Sequence, residues 1–306
     1  MLTSATSFDR HGQIRCGTIS VANIKASTAL YRDYLHQQVV EEGRIDATQA
    51  AIFNMPAVLN ARYVIFQPKS EVPSFLRLIE VPIANSYPPA RTLGWNAFEI
   101  SVRDVFSLAV ELEDSDFDVI GPPKLVDGFT SFIPMQVVGP DGEVLFLNQV
   151  NHSDDATDLP LAQCEVDQFF IAVVASPNRE ISVQEYVKYL NLDRAATHQL
   201  RYSLINQAFD LPDDTQQTIT LIQNKRLPFA QIDQYPENYE IRPQQQYGLP
   251  AGNAMVSVMV KNIDELPITD RVIGAAKHLD GVIYQGRKTQ VIRGSASELI
   301  ELIEIG

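Results

Sequence analysis

One carboxylate in this sequence stands in a setting that suits chemistry: Glu301, placed between Ile300 and Leu302 in the last apolar run of the chain. A strand carboxylate flanked by hydrophobes loses water, and that suits it to general acid or base work. His198 and Tyr284 are the groups that could supply the complementary proton. Metal chemistry is the second option. The histidines (His11, His36, His152, His198 and His278) show no ligand spacing such as HxxxH, so surface or capping roles are expected for them. Nucleophilic chemistry has the least support. Cys16 and Cys164 form no CxxC pair and no histidine is placed near Cys16, which is expected to be a small buried residue.

The elements that must position these groups recur. A strand over 14–21 runs into Asn23, an N-cap residue, and a helix over 27–36, followed by strands over 39–45, 61–67 and 75–81. The order is β-α-β-β-β. It returns with a strand at 95–102, a helix at 105–112, short strands near 117–120 and 124–126, and a hairpin at 136–150. A third unit has a strand at 166–174, a helix at 182–190 and strands at 198–208 and 217–223. The fourth has a strand at 253–260, Asn262 as cap, a helical or turn segment at 264–274, a strand at 281–284 and a hairpin at 291–305. The two hairpins share one design, with Phe146 standing where Glu301 stands. The fold class is α+β, and consecutive units are expected to pair as two halves. Residues 1–13 form a loose arm, 14–150 an N-terminal domain, 151–165 a polar linker and 166–306 a C-terminal domain. Within the last, residues 226–250 are dense in Pro, Tyr and Gln and read as a crossover connector or a lid.

Bulk composition bounds the partners. At 306 residues the chain is long enough for two domains with cores of their own. A formal net charge of -14 and a pI near 4.7 oppose nucleic acid and anionic membranes. No apolar run is long enough to span a bilayer, and the cysteine usage points to a reduced, cytoplasmic setting. A hydrophobic content of 45% excludes a disordered chain.

Two stretches carry a resemblance: Val-Ala-Asn-Ile-Lys-Ala-Ser-Thr-Ala-Leu-Tyr-Arg-Asp-Tyr-Leu from Val21, and Gly-Pro-Asp-Gly-Glu-Val-Leu from Gly139. With four β-α-β-β-β units around them, the chain resembles the vicinal oxygen chelate superfamily. That superfamily holds glyoxalases, extradiol dioxygenases, bleomycin-resistance proteins and several epimerases and lyases. The resemblance implies that paired units close into cups, with metal ligands from each unit's first strand and last strand. The matching positions here are Cys16 and Arg77, Ala97 and Phe146, Gln168 and Thr220, and Met255 and Glu301. An iron site of two histidines and a carboxylate would need His at 168 and 255, so ring-cleaving iron chemistry is not favoured. A weaker glyoxalase-like metal set would be Glu301, Gln168 and His198. No cofactor is favoured.

Strand alternation lists the rest of each cup. The C-terminal cup would hold Gln168, Phe170, Thr218, Thr220, Met255, Ser257, Met259 and Glu301, with His198, Tyr202 and Tyr284. That is an apolar, aromatic pocket for a small organic ligand. The N-terminal cup would hold Cys16, Thr18, Ser20, Arg77, Ala97, Glu99, Ser101, Phe146 and Asn148. There Arg77 either neutralises Glu99 or forms an anion site. The leading expectation is an isomerase- or lyase-type enzyme acting on an aromatic or polycyclic molecule, with Glu301, His198 and Tyr284 as its catalytic groups. The alternatives are a metal-dependent dioxygenase- or glyoxalase-like enzyme and a non-catalytic sequestering protein. A homodimer is compatible with the resemblance.

Overall fold

Four times along the chain an apolar strand ends, one residue is skipped, and an Asn or Asp caps the helical segment that follows. Asn23 accepts from the Ala26 amide, Asp104 from those of Phe106 and Ser107, Asn178 from Ile181 and Asn262 from Asp264. These caps set the start of each module in a computed structural model that describes residues 8–82, 88–125, 130–153, 155–242 and 248–306. Module one comprises β1 (Ile14–Val21), α1 (Ile24–Tyr34), β2 (Gln38–Arg44), α2 (Ala47–Phe53), β3 (Arg62–Gln67) and β4 (Phe75–Glu80). Module two comprises β5 (Gly94–Val102), α3 (Val105–Leu112), β6 (Asp118–Gly121), β7 (Phe132–Val138) and β8 (Val144–Val150). Module three has β9 (Val166–Ser176), α4 (Arg179–Leu190), β10 (Asp193–Arg201), α5 (Ser203–Ala208), β11 (Gln216–Asn224) and β12 (Leu227–Gln234). Module four has β13 (Gly252–Val260), β14 (Lys277–His278), β15 (Lys288–Arg293) and β16 (Leu299–Glu304).

The modules do not pair as consecutive halves. One eight-stranded sheet has the order β14-β15-β16-β13-β1-β4-β3-β2 and joins module one to module four; the other, β10-β11-β12-β9-β5-β8-β7-β6, joins module two to module three. The antiparallel seams are β1 on β13 and β5 on β9. This corrects the expected N- and C-terminal domains. The first strands β1, β5, β9 and β13 are buried along nearly their whole lengths whichever partner they meet. Their hydrophobic pattern is therefore the same for either pairing, and the docking of modules decides between them.

Other departures are local. The segment expected as a connector, 226–250, contains β12, the true last strand of module three, and its residues 243–247 lie outside the described residues. Pro228 hides it in the sequence, yet sits next to a register shift on β11, where a missing N–H is tolerated. The strand expected over 198–208 ends at Arg201 and turns into α5, while 281–284 is a turn. Helix α2 is stopped at both ends by local chemistry: Asp46 and Gln49 form a reciprocal capping box, and Asn54 closes it in the left-handed conformation. The arm is docked where described, since Gly12 donates to the Met259 carbonyl at 2.9 Å and His11 Nε2 lies 2.8 Å from the Leu190 carbonyl.

Among the described residues, packing divides into three main cores and a small cluster of Val150, Phe170 and Ile171 beside the second sheet. Outward faces of both sheets and the helices α1, α3 and α4 share one core, in which Phe98 and Phe169 press on Gly17, where a side chain would collide with both rings. Buried polar groups lock the sheets together there. The Asn253 amide side chain pairs with the backbone N–H and C=O of Val144, the Trp95 indole donates to the Leu299 carbonyl at 2.7 Å, and Arg242 donates to the carbonyls of Trp95 and Asn253. The inner face of each sheet has a core of its own.

Candidate functional site

The cup of the β1/β13 sheet is filled. Register places Thr18 opposite Arg77 and Ser257 opposite Glu301, so strand pleating turns these side chains toward one another. Arg77 Nη2 lies 3.2 Å from Glu301 Oε2, and both residues are at most 1% exposed. Arg77 also donates to the Thr18 hydroxyl at 2.8 Å and to the Tyr284 hydroxyl, while Tyr284 donates to Glu301 Oε1 at 2.9 Å and Ser257 to Oε2. Phe53 of α2 covers the guanidinium, with its ring centroid 5.4 Å away. Burial works against the charge on Arg77, but Glu301 and Tyr284 outweigh it and hold the guanidinium protonated. Burial pushes the Cys16 thiol up to about 12, which fits a packing role.

The cup of the β5/β9 sheet is open. A cavity of about 510 Å³ lies over its inner face, with Phe146, Phe170, Ile171, Ile219 and Leu221 on the apolar wall. Glu99 is the acid that lines its interior. It is 7% exposed, and Asn148 Nδ2 donates to its Oε2 at 2.6 Å. Burial pushes its carboxyl up to about 8, against the opposing effect of that hydrogen bond, so Glu99 carries a proton at neutral pH. The Asn148 carbonyl oxygen is buried without a partner. Behind Gln231, on the same wall, Asp233 accepts from Gln231 Nε2 at 2.8 Å and leaves its second oxygen unmatched. Burial raises the Asp233 carboxyl and the Tyr202 hydroxyl well above their ordinary ranges. His198, from β10, lines the cavity as well.

The expected catalytic trio is thus divided: His198 faces the cavity, whereas Glu301 and Tyr284 belong to the closed network around Arg77. Of the expected binding residues, Phe170 and Tyr202 line the cavity. Met255, Ser257 and Met259 lie on β13 in the other sheet. Thr220 bonds Thr197 at 2.9 Å and accepts from Arg179, while its neighbours Ile219 and Leu221 line the cavity, because β11 is a middle strand rather than the last. Gln168 leaves its side-chain oxygen buried without a partner and does not line the cavity. Arg77 meets Glu301, and Glu99 meets Asn148, so the anticipated Arg77–Glu99 pair does not form. Gln231 and Asp233 escaped notice, although Phe229-Ala-Gln-Ile-Asp-Gln alternates enough to mark a strand.

Among the described residues, neither cup offers a donor set that suits a resident divalent ion. In the closed cup the Arg77 guanidinium is already the counter-charge to Glu301. In the open cup Glu99 is tied to the Asn148 amide, and among the described residues no three His, Cys, Asp or Glu side chains converge. The set Glu301, Gln168 and His198 is split between the two sheets.

These two cups, each built from a pair of βαβββ modules, define the class of fold: the chain has a four-module, glyoxalase-like fold. It is similar to glyoxalase I from Zea mays at 14% identity, covering 95% of this chain and 92% of that one with a TM-score of 0.61. A mutant of the same maize enzyme matches at 13% identity and a TM-score of 0.63, over 95% and 92% of the two chains. A candidate dioxygenase from Bacillus subtilis matches at 11% identity and 0.61, over 95% of this chain and 84% of that one. No protein-family model and no curated protein matches the sequence. No helix among the described residues is long and apolar enough to cross a membrane.

Proposed function

We propose that the chain is an acid/base enzyme of isomerase or lyase type, acting on a small, mainly aromatic or polycyclic molecule in the β5/β9 cup, with Glu99 as proton donor and His198 as proton acceptor. The observation that carries this reading is the placement of a desolvated carboxyl, Glu99, on the wall of a cavity of about 510 Å³ lined largely by hydrophobes. A carboxyl that titrates near 8 holds a proton at neutral pH and can release it to a substrate oxygen. In an isomerisation, His198 takes a proton from the carbon next to a carbonyl as Glu99 protonates the oxygen. Return of the first proton to a different carbon, and of the second to Glu99, completes the shift without net oxidation. Asn148 holds the Glu99 carboxyl in one orientation. No metal step is needed, and the donor sets of both cups support a reading without one.

The test is incubation in D2O with a panel of aromatic and alicyclic ketones, read by mass spectrometry. Deuterium incorporation or isomerisation by the native protein, reduced about 10²- to 10⁴-fold in Glu99→Gln, is the expected result. Turnover that survives Glu99→Gln would sink the assignment. Saturable binding with no chemical change would favour a sequestering protein, and a stoichiometric metal in protein purified without chelator would favour a metal-dependent one.

A further inference from the structure

The rim of the open cavity carries a charge of the wrong sign for this protein. Lys124, which follows β6, and Arg201, the last residue of β10, both line the cavity and are both exposed. They sit on one side of the opening, since Lys124 Nζ donates at 2.9 Å to the hydroxyl of Ser203, two residues beyond Arg201. Among the described residues neither has a carboxylate partner. Elsewhere on the surface, Arg32, Arg62, Arg103 and Arg194 are each seated on an acid. Among the described residues the acids in the lining are Glu99 and Asp155. With Glu99 protonated, Lys124 and Arg201 against Asp155 leave the described residues of the lining at +1, on a chain whose formal charge is -14. Such a local reversal attracts anions to the opening while the rest of the surface repels them. Farther in, the Asn148 carbonyl oxygen is a buried acceptor without a donor, beside the Glu99 carboxyl.

We infer that the ligand of this cavity is an amphipathic organic acid: a carboxylate held at the rim by Lys124 and Arg201, an apolar body against Phe146 and Phe170, and a polar oxygen function at the Glu99–Asn148 end. The inference rests on the cavity being a ligand site, as proposed above, and adds the class of molecule. The carboxylate meets Arg201 through the paired N–H groups of its guanidinium and Lys124 as a point charge. A hydroxyl at the inner end would donate to the Asn148 oxygen and accept from Glu99, matching both groups at once.

Matched probes test this: 2-naphthylacetic acid and its neutral amide, titrated calorimetrically into the full chain and into Lys124→Met/Arg201→Met, at low and high salt. Both replaced side chains are exposed, and circular dichroism checks that the variant keeps the fold. The acid should bind the native protein about tenfold more tightly than the amide, the sum expected of two exposed charge contacts. That preference should shrink with salt and vanish in the double variant, whose affinity for the amide is unchanged. Equal affinity for acid and amide in the native protein would overturn the anionic class and leave the cavity reading standing. Failure of both probes to bind would overturn the cavity reading and this inference with it.

Discussion

Removing one member of the Arg77–Glu301 pair leaves the other as an unpaired charge with no access to water. Arg77→Met or Glu301→Gln should therefore lower stability by about 3–5 kcal/mol in denaturant titration, and Arg77→Met/Glu301→Met should recover most of the loss. Equal destabilisation by the single and double variants would show that the pair has no special coupling. Neither single variant should change ligand binding, because the network lies in the other cup. At Glu99 the expectation is kinetic. A proton donor titrating near 8 keeps activity up to that pH and loses it above, so kcat/KM should fall along a limb near pH 8 that is missing from any residual activity of Glu99→Gln. Glu99 itself was legible in the sequence as an inward-facing residue. Its proton was not, because that depends on how much water the closed sheet admits.

At the scale of elements, two hairpin turns do the same work in both halves of the chain. The β7–β8 turn tucks Glu143 under Gly139, and the β15–β16 turn tucks Glu298 under Gly294, where a Cβ on either glycine would overlap the carboxylate. Each acid then meets a tyrosine from a helix of the opposite sheet's module. Tyr31 of α1 donates to Glu143 at 3.1 Å and Tyr186 of α4 to Glu298 at 2.7 Å, so the two pairs clasp the sheets together. Burial pushes Glu143 up to about 8, with Asp141 adding to the effect, and Glu298 up to about 7. Since both carboxyls titrate higher when folded than the ordinary value of 4.5, the folded state binds more protons between pH 4.5 and 8. Their contribution is complete below the ordinary value and is lost as pH rises through 7 to 8. Melting temperature should accordingly fall between pH 5 and pH 9, and Glu143→Gln/Glu298→Gln, which mimics the protonated pairs, should flatten about half of that slope. A slope unchanged in the double variant would assign it to other acids, Glu99 and Asp233 among them.

For the whole molecule, the interleaved pairing has a direct mechanical consequence. Cutting the chain in the linker between residues 151 and 165 separates β1 from β13 and β5 from β9, leaving each fragment with two half-sheets that expose a long, apolar first strand. Residues 1–150 and 151–306 expressed singly should be aggregated or unfolded. Coexpressed, they should assemble into one particle with the native circular dichroism spectrum and a single unfolding transition. Two fragments that each fold alone would contradict the sheet orders described above.

The sequence by itself determined the four modules, the caps at Asn23 and Asn262 and the two repeated hairpins, because alternation, capping and turn chemistry act over a few residues. It also placed Cys16, Arg77, Glu99, Phe146 and Asn148 on inner faces, since strand parity is a local property. Tertiary structure decided which module meets which, and thereby moved Glu301 from an open pocket to the side of Arg77. It also decided which cup stays open: α2 and Tyr284 fill one, and the other keeps its cavity around Glu99. Both outcomes depend on contacts between residues far apart in the chain, whose hydrophobic patterns suit either partner equally well.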